Sequence, residues 1–373
     1  MLVPRLRFKE FTDEWKRRKL IQTSEINPKN SFLPKKFIYI DLECVEKGIL
    51  KKENIINGTE APSRAQRLVK INDILFQTVR PYQKNNYFVK FLKEIPYIAS
   101  SGYTLIRTKE NPYFIYTILH QKKFVDKVLN LCTGTSFPAI SSHALGSVEI
   151  IIPTLKEQEK IGNFISLLDK KIELQSKKVN VLKLYKKGLV LNLMKNRNEW
   201  SEYKVKDIFN ITRGIVIPKI DLSEKSNDEY KYPVYSSQTF NKGILGYDNK
   251  YDFDGKYLTW TTDGANAGKV FFRNGKFRCT NVCGVLYENN VKYTNELVAE
   301  LLNYVTPKHV SYVGNPKLMN NVMGEIKINL PKDELQISIS RIINSFSNKI
   351  ELENEKLEKL QVLKKGFMQV MFA

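Results

Sequence analysis

Histidine and cysteine are scarce in this chain of 373 residues: three His (His120, His143, His309) and four Cys (Cys44, Cys132, Cys279, Cys283). Cysteines so few and so scattered cannot build a disulfide framework, and a reducing compartment, the cytoplasm, is expected. Cys279 and Cys283 form one pair with three residues between them. A structural zinc site wants four ligands, usually two such pairs, so buried thiols are the better reading. The isolated histidines leave no Ser-His-Asp or Cys-His set on which to argue nucleophilic catalysis. No apolar run is long enough to cross a bilayer. The opening Met1-Leu2-Val3-Pro4-Arg5-Leu6-Arg7 lacks the apolar stretch of a signal peptide.

Acidic residues are also in the minority, 39 against 60 Lys and Arg, for a net charge of +21. The excess is uneven. Residues 1–154 hold 25 basic and 14 acidic side chains, and residues 155–195 hold 10 and 4. Residues 196–331 hold 18 and 15, and residues 332–373 hold 7 and 6. A basic surface attracts polyanions, of which nucleic acid is the commonest. The second half of the chain would need neutral donors or a partner to hold DNA. With 42% apolar and 27% charged residues the composition suits a folded protein of two ordinary domains rather than disorder.

Two phosphate or cofactor signals are incomplete. Gly268-Lys269 resembles the end of a phosphate loop, but Gly264 is one residue too close and Val270 stands where Ser or Thr must bind magnesium. Asn111-Pro112-Tyr113-Phe114 lacks one proline of the Asn/Asp-Pro-Pro-Tyr/Phe motif with which adenine methyltransferases grip a flipped base. No glycine-rich cofactor loop precedes it. Asn111 and Pro112 read instead as the cap and first turn of a helix reaching about Asn130.

What the chain does have is a repeat. Leu155 to Lys195 reads as one long helix, and a shift of 178 positions lays it on the C-terminal end without a gap. Pro153 falls on Pro331, Lys171-Ile172-Glu173-Leu174 on Lys349-Ile350-Glu351-Leu352, and Gly188 on Gly366. The apolar positions alternate at spacings of four and three. Ile161, Ile165, Leu168, Ile172, Val179 and Leu182 match Ile339, Ile343, Phe346, Ile350, Leu357 and Leu360. Polar residues interrupt this heptad seam at the same two places, Gln175 and Lys186 in one copy, Glu353 and Lys364 in the other. Each stripe is too narrow for a globular core and must cover another helix, most simply the other copy. A purely structural coiled coil would look the same, but each helix follows a block that is not coiled coil.

Both blocks open alike, Glu14-Trp15 then Lys19, and Glu199-Trp200 then Lys204. They close alike as well, with Gly134-Thr135-Ser136-Phe137-Pro138 before Leu145-Gly146, and Gly314-Asn315-Pro316 before Met323-Gly324. In the first block, strands are predicted at Phe37 to Leu42 and Asp73 to Phe76, beside two polar loops. One holds Arg64, Gln66 and Arg67, and the other Arg80, Tyr82, Gln83, Lys84 and Asn85. In the second block, Ser237 and Gln238 follow a strand. Thr261, Thr262, Asn266 and Lys269 are expected to project from a tight turn permitted by Gly264 and Gly268. Such side chains can hold phosphates or read base edges, Arg to guanine and Asn or Gln to adenine. Solvated loops have similar compositions.

Together these features resemble the specificity subunits of type I restriction–modification systems, over essentially the whole chain. The resemblance rests on the duplicated block and helix, the Glu-Trp entry and the helix start Pro153-Thr154-Leu155-Lys156-Glu157-Gln158-Glu159. It rests also on the Lys-Lys-Gly helix ends, the Gly-Ala-x-Ala-Gly turn at 264–268, and Pro62 to Arg67 followed by Thr78-Val79-Arg80-Pro81. The second helix departs at its start, with Leu335 where the first has Glu157. The resemblance implies an α+β chain with target recognition domains at 1–153 and 197–331. Spacer helices at 154–196 and 332–373 would pair as an antiparallel coiled coil. It implies no catalysis in this chain: each recognition domain reads half of a split double-stranded DNA site. Two methyltransferase subunits, using S-adenosylmethionine, and ATP- and Mg-dependent restriction subunits are the implied partners. The DNA-reading candidates are the loop residues above with Thr135 and Ser136. No cofactor, metal or membrane is expected for the chain itself.

Three rivals make different predictions. A solitary methyltransferase would methylate DNA alone. A bipartite DNA-binding regulator would hold its site tightly without partners. A plain coiled-coil interaction protein would show no salt-dependent DNA binding.

Overall fold

The structure is a computed structural model, described for residues 3–30, 32–134, 136–195, 200–238, 240–288 and 292–372. The chain divides into two compact units, Met1–Ser176 with Lys356–Ala373, and Lys177–Glu355. The two long helices, Leu155–Lys195 and Asp333–Val370, each contribute to both units. The central helix spans the stretch read from the heptad pattern.

In the first unit the chain enters through strand Lys16–Lys19, which pairs antiparallel with the exit strand Glu149–Ile152. Trp15, 2% exposed, pins the entry into the core. Two four-stranded sheets lie between. One runs Asn54–Asn57, Lys36–Ile40, Tyr97–Ser100, Ala65–Leu68, and the other Ser24–Ile26, Tyr103–Thr108, Ile74–Gln77, Tyr87–Phe88. Ile38, Ile40, Leu75, Tyr97 and Tyr103 bury one core between strands. A larger core joins Phe76, Phe114 and Ile150 to Ile161 and Ile165 of the central helix and Met371 of the C-terminal segment. Each such aliphatic side chain stabilises by about 2 kcal/mol on burial. Asn111 caps helix Pro112–Ile118 by accepting from the Phe114 N–H at 2.9 Å. The expected single helix to Asn130 is two, Pro112–Ile118 and Lys122–Asn130. The break falls where Gln121 turns extended and His120 Nδ1 donates back to the Tyr116 carbonyl at 2.8 Å.

The second unit repeats the entry and exit. Strand Ser201–Lys204 pairs antiparallel with Lys327–Leu330. The short helices Val205–Ile208 and Asn320–Glu325 answer Leu20–Thr23 and Ser142–Ser147. Between them lies one six-stranded sheet in the order Asn210–Arg213, Cys283–Tyr287, Phe253–Thr261, Val270–Cys279, Tyr232–Tyr235, Ile244–Asp248. Its core packs Leu258, Trp260 and Leu286 against helix Glu296–Val305 and against Val190, Ile339 and Ile343 of the long helices.

Within each unit the long helices run antiparallel. In the first, Phe164 meets Phe367 edge-on at 4.9 Å and Asp169 meets Lys364 at 2.5 Å. In the second, Lys178 meets Glu353 at 3.0 Å and Lys186 meets Ser347 at 2.8 Å. Three of the four polar interruptions of the heptad, Lys186, Glu353 and Lys364, are ion-pair positions. Lys364 and Lys186, one repeat apart, take Asp169 and Glu300.

Candidate nucleic-acid interface

Four backbone segments meet along one edge of the first block. The Ser101 N–H donates to the Arg64 carbonyl (2.8 Å), and the Thr78 N–H to the Gly102 carbonyl (3.0 Å). The Ile140 N–H donates to the Thr78 carbonyl (3.0 Å), and the Arg80 N–H to the Pro138 carbonyl (2.8 Å). Across the edge the order is the turn at 63–64, the turn at 101–102, the loop at 78–86 and the loop at 133–140. The two polar loops picked from the sequence thus flank a common turn. Arg80 adopts a left-handed backbone, φ 53°, and its guanidinium lies 4.3 Å over the ring of Phe137. Phe137 is itself 58% exposed, and Arg64, Gln66, Tyr82, Gln83 and Ser136 are exposed on these segments. Arg67 is half-buried on strand Ala65–Leu68. Its Nε is buried without a hydrogen-bond partner, and burial lowers the guanidinium's pKa.

The second block builds the same edge from different residues. The Thr280 N–H donates to the Tyr235 carbonyl (2.9 Å), and the Thr262 N–H to the Val282 carbonyl (3.1 Å). The Leu318 N–H donates to the Thr262 carbonyl (2.8 Å), and the Gly264 N–H to the Pro316 carbonyl (2.9 Å). Residues 79 and 139 form a β-bridge in the first block, as do 263 and 317 in the second. Thr78 thus corresponds to Thr262, Arg80 to Gly264, and Pro138 to Pro316. Gly264 and Gly268 take φ of +91° and +85° in the turn between strands Phe253–Thr261 and Val270–Cys279, as their spacing predicts. Asn266 and Lys269 are exposed on this turn, and Asn281 is exposed on its neighbour. Ser237 and Gln238 are half-buried, with the Gln238 amide donating to the Ile244 carbonyl.

Several candidates are placed differently from expectation. Thr261 and Thr262 do not project; both are buried, 2% and 0% exposed, where the loop bearing Leu318 bonds back to the Thr262 carbonyl. The Thr262 hydroxyl donates to Asp263 at 2.6 Å. Asn85 accepts from the Lys47 N–H (2.9 Å), Gln83 accepts from the Gln77 amide (2.8 Å), and Lys84 donates to the His120 carbonyl (3.2 Å). These three shape the loop as well as lining it. Thr135 lies outside the described residues. Sequence reasoning missed Phe137, Asn281, and the exposed Tyr312 and Val313 beside Lys317. The alignment of Pro138 with Pro316 was the signal that could have found the last group.

The look-alike motifs have structural work. The Asn111 side chain is engaged in its cap, and Gly162 of the central helix lies so close that a Cβ there would meet Asn111 Oδ1 at 2.4 Å. The Tyr113 hydroxyl donates to Asp169 at 2.8 Å. Cys279 and Cys283 are buried free thiols with sulfurs 3.4 Å apart. Among the described residues no cluster of His, Cys, Asp or Glu could hold a metal ion, and no helix is long and apolar enough to cross a membrane.

The family model described as the type I restriction modification DNA specificity domain matches residues 12–184 and again 197–362. A Mycoplasma pneumoniae type I specificity subunit is 36% identical over 228 residues, 59% of this chain and 81% of that one. The type I restriction enzyme MpnII specificity subunit of the same organism is 43% identical over 145 residues, 39% of this chain and 43% of that one. Among solved structures, the S subunit of a type I restriction-modification system from M. genitalium matches with a TM-score of 0.69 at 17% identity. That match covers 100% of this chain and 99% of the other, and it is a likeness of fold.

Proposed function

The chain belongs to the type I restriction-modification DNA specificity family, and we propose that its two loop edges each read one half of a split, asymmetric DNA site. One observation carries this reading. Two blocks of different sheet architecture converge on the same four-segment edge, and both edges present side chains that can donate to bases and phosphates. In the first block Arg64, Arg67, Arg80 and Tyr82 supply a strongly basic edge. In the second, Gln238, Asn266, Asn281 and Lys269 supply a nearly neutral one. Basic side chains give the salt-sensitive hold on phosphates, and the loop donors give the choice of base. Unequal edges read unequal half-sites, and the length of the paired helices sets the gap between them.

The chain would not catalyse the modification itself. S-adenosylmethionine, ATP and magnesium would be used by methyltransferase and restriction subunits docked on it. An apolar groove in the second unit, of about 670 Å³, supports a docking place: Val181, Leu184, Tyr185, Leu189, Ile342 and Phe346 line it. Leu184 and Tyr185 are 67% and 66% exposed there. An amphipathic helix of a methyltransferase subunit fits such a groove.

The test is to express the chain with its methyltransferase partner and map the modified bases across a genome. The expected result is one two-part motif with a fixed gap, together with DNA binding that weakens steeply with salt. Methylation by the chain alone, or a complex without salt-dependent binding, would contradict the proposal.

A further inference from the structure

We propose that Arg80 reads a guanine in the first half-site, and that the second half-site has no arginine-read guanine at the equivalent position. This rests on the reading of the loop edges as DNA-binding surfaces and adds which base one of them selects.

Among the described residues the Arg80 guanidinium has no hydrogen-bond or ion-pair partner. It lies over the face of Phe137, 4.3 Å from the ring centre. That stacking holds the planar group and leaves its edge donors free, the geometry that meets guanine O6 and N7 in the major groove. The backbone beneath it is fixed by the bond to the Pro138 carbonyl and by the bridge between 79 and 139. A side chain held in one place at a left-handed position, where glycine is favoured, is a reader in waiting rather than a loop residue free to wander.

The second block lacks such a group. The residue equivalent to Arg80 is Gly264, whose N–H bonds to Pro316 as that of Arg80 bonds to Pro138. A Cβ added to Gly264 would meet nothing within 4 Å, so the place where the arginine would stand is open. The described arginines between 200 and 331 are all engaged. Arg213 donates to Asn320 (3.0 Å), and Arg273 to Thr259 (3.1 Å) and the Lys242 carbonyl (2.7 Å). Arg278 pairs with Asp248 (2.6 Å) and Asp252 (3.0 Å). Base choice there passes to exposed Asn266 and Lys269 and to half-buried Gln238.

The experiment compares the wild-type complex with R80Q and R80K complexes, each assembled with the methyltransferase subunit, by selection of bound duplexes from a randomised pool, followed by binding of the selected duplex over a series of salt concentrations. The wild type should show a guanine at one position of one half-site. R80Q should lose the preference there by about 5- to 150-fold and leave the other positions and the other half-site unchanged. R80K keeps the charge and places the least demand on folding. It should retain the salt dependence but weaken the same guanine preference, because an ammonium lacks the planar fork. A guanine preference that survives both substitutions overturns the inference. So does uniform weakening of all sequences with a salt slope lower by about one and no change of base, which is the mark of a phosphate contact. Absence of any sequence selection by the wild-type complex would instead defeat the underlying reading of the loop edges.

Discussion

Lys364 of the C-terminal helix and Asp169 of the central helix form an ion pair at 2.5 Å, and the Tyr113 hydroxyl donates to the other Asp169 oxygen at 2.8 Å. The polar defect in the heptad is thus the point where two helices are fastened to the first block. One repeat earlier, Lys186 does the same for the second block through Glu300, 2.7 Å away, with Ser347 as a further acceptor. A defect shared by both copies is explained by a fastening needed in both. The Asp169 side chain is 23% exposed and that of Lys364 31%, so the pair is partly desolvated. A double-mutant cycle with Asp169→Asn and Lys364→Met should give a coupling of about 1 kcal/mol in urea unfolding. Strict additivity would mean the pair is an idle surface contact.

Glu157 and Leu335 sit one repeat apart and have opposite surroundings. The Glu157 carboxylate is fully buried and takes two bonds from Arg7, at 2.8 and 2.7 Å, and one from the Trp15 indole at 3.3 Å. Leu335 is 50% exposed. Glu157→Leu should therefore cost about 3 kcal/mol by stranding the Arg7 guanidinium, whose side chain is only 13% exposed. Leu335→Glu should stay within about 0.5 kcal/mol, as surface changes do. Thermal unfolding of the two variants separates these outcomes, and equal effects would contradict the account of the helix start.

His120 sets an acid-side dependence. Burial, reinforced by the nearby Lys364 and Lys84 charges, pushes its imidazole down to about 4. The unfolded chain then binds a proton that the folded chain refuses. Stability from this group is complete above the ordinary histidine range, near pH 6.5, and is lost as pH falls toward 4. His120→Asn should flatten the stability profile of the protein over that window. An unchanged slope would show that other groups carry it.

The sequence was most legible where period and backbone chemistry leave few alternatives. Heptad spacing marked the helix Leu155–Lys195, and paired glycines marked the turn at 264–268. Asn111-Pro112 marked a helix start. Less legible was anything decided by a distant neighbour. The helix after Pro112 stops at Ile118, although the apolar pattern continues to Leu131. Thr261 and Thr262 resemble exposed turn residues until the loop bearing Leu318 covers them. The equivalence of Arg80 with Gly264 leaves no trace in the sequence, because the spacing between the blocks changes along the chain and the matching feature is a hydrogen bond. Offset alone would have paired neither.

On the proposed reading, helix length is part of what the protein recognises. Inserting one heptad into each long helix keeps the seam in register and adds about 10 Å of rod. At about 3.4 Å per base pair, the methylated motif should keep both half-sites and gain a gap about three base pairs longer. An unchanged gap, or altered half-site bases with the gap preserved, would contradict the account.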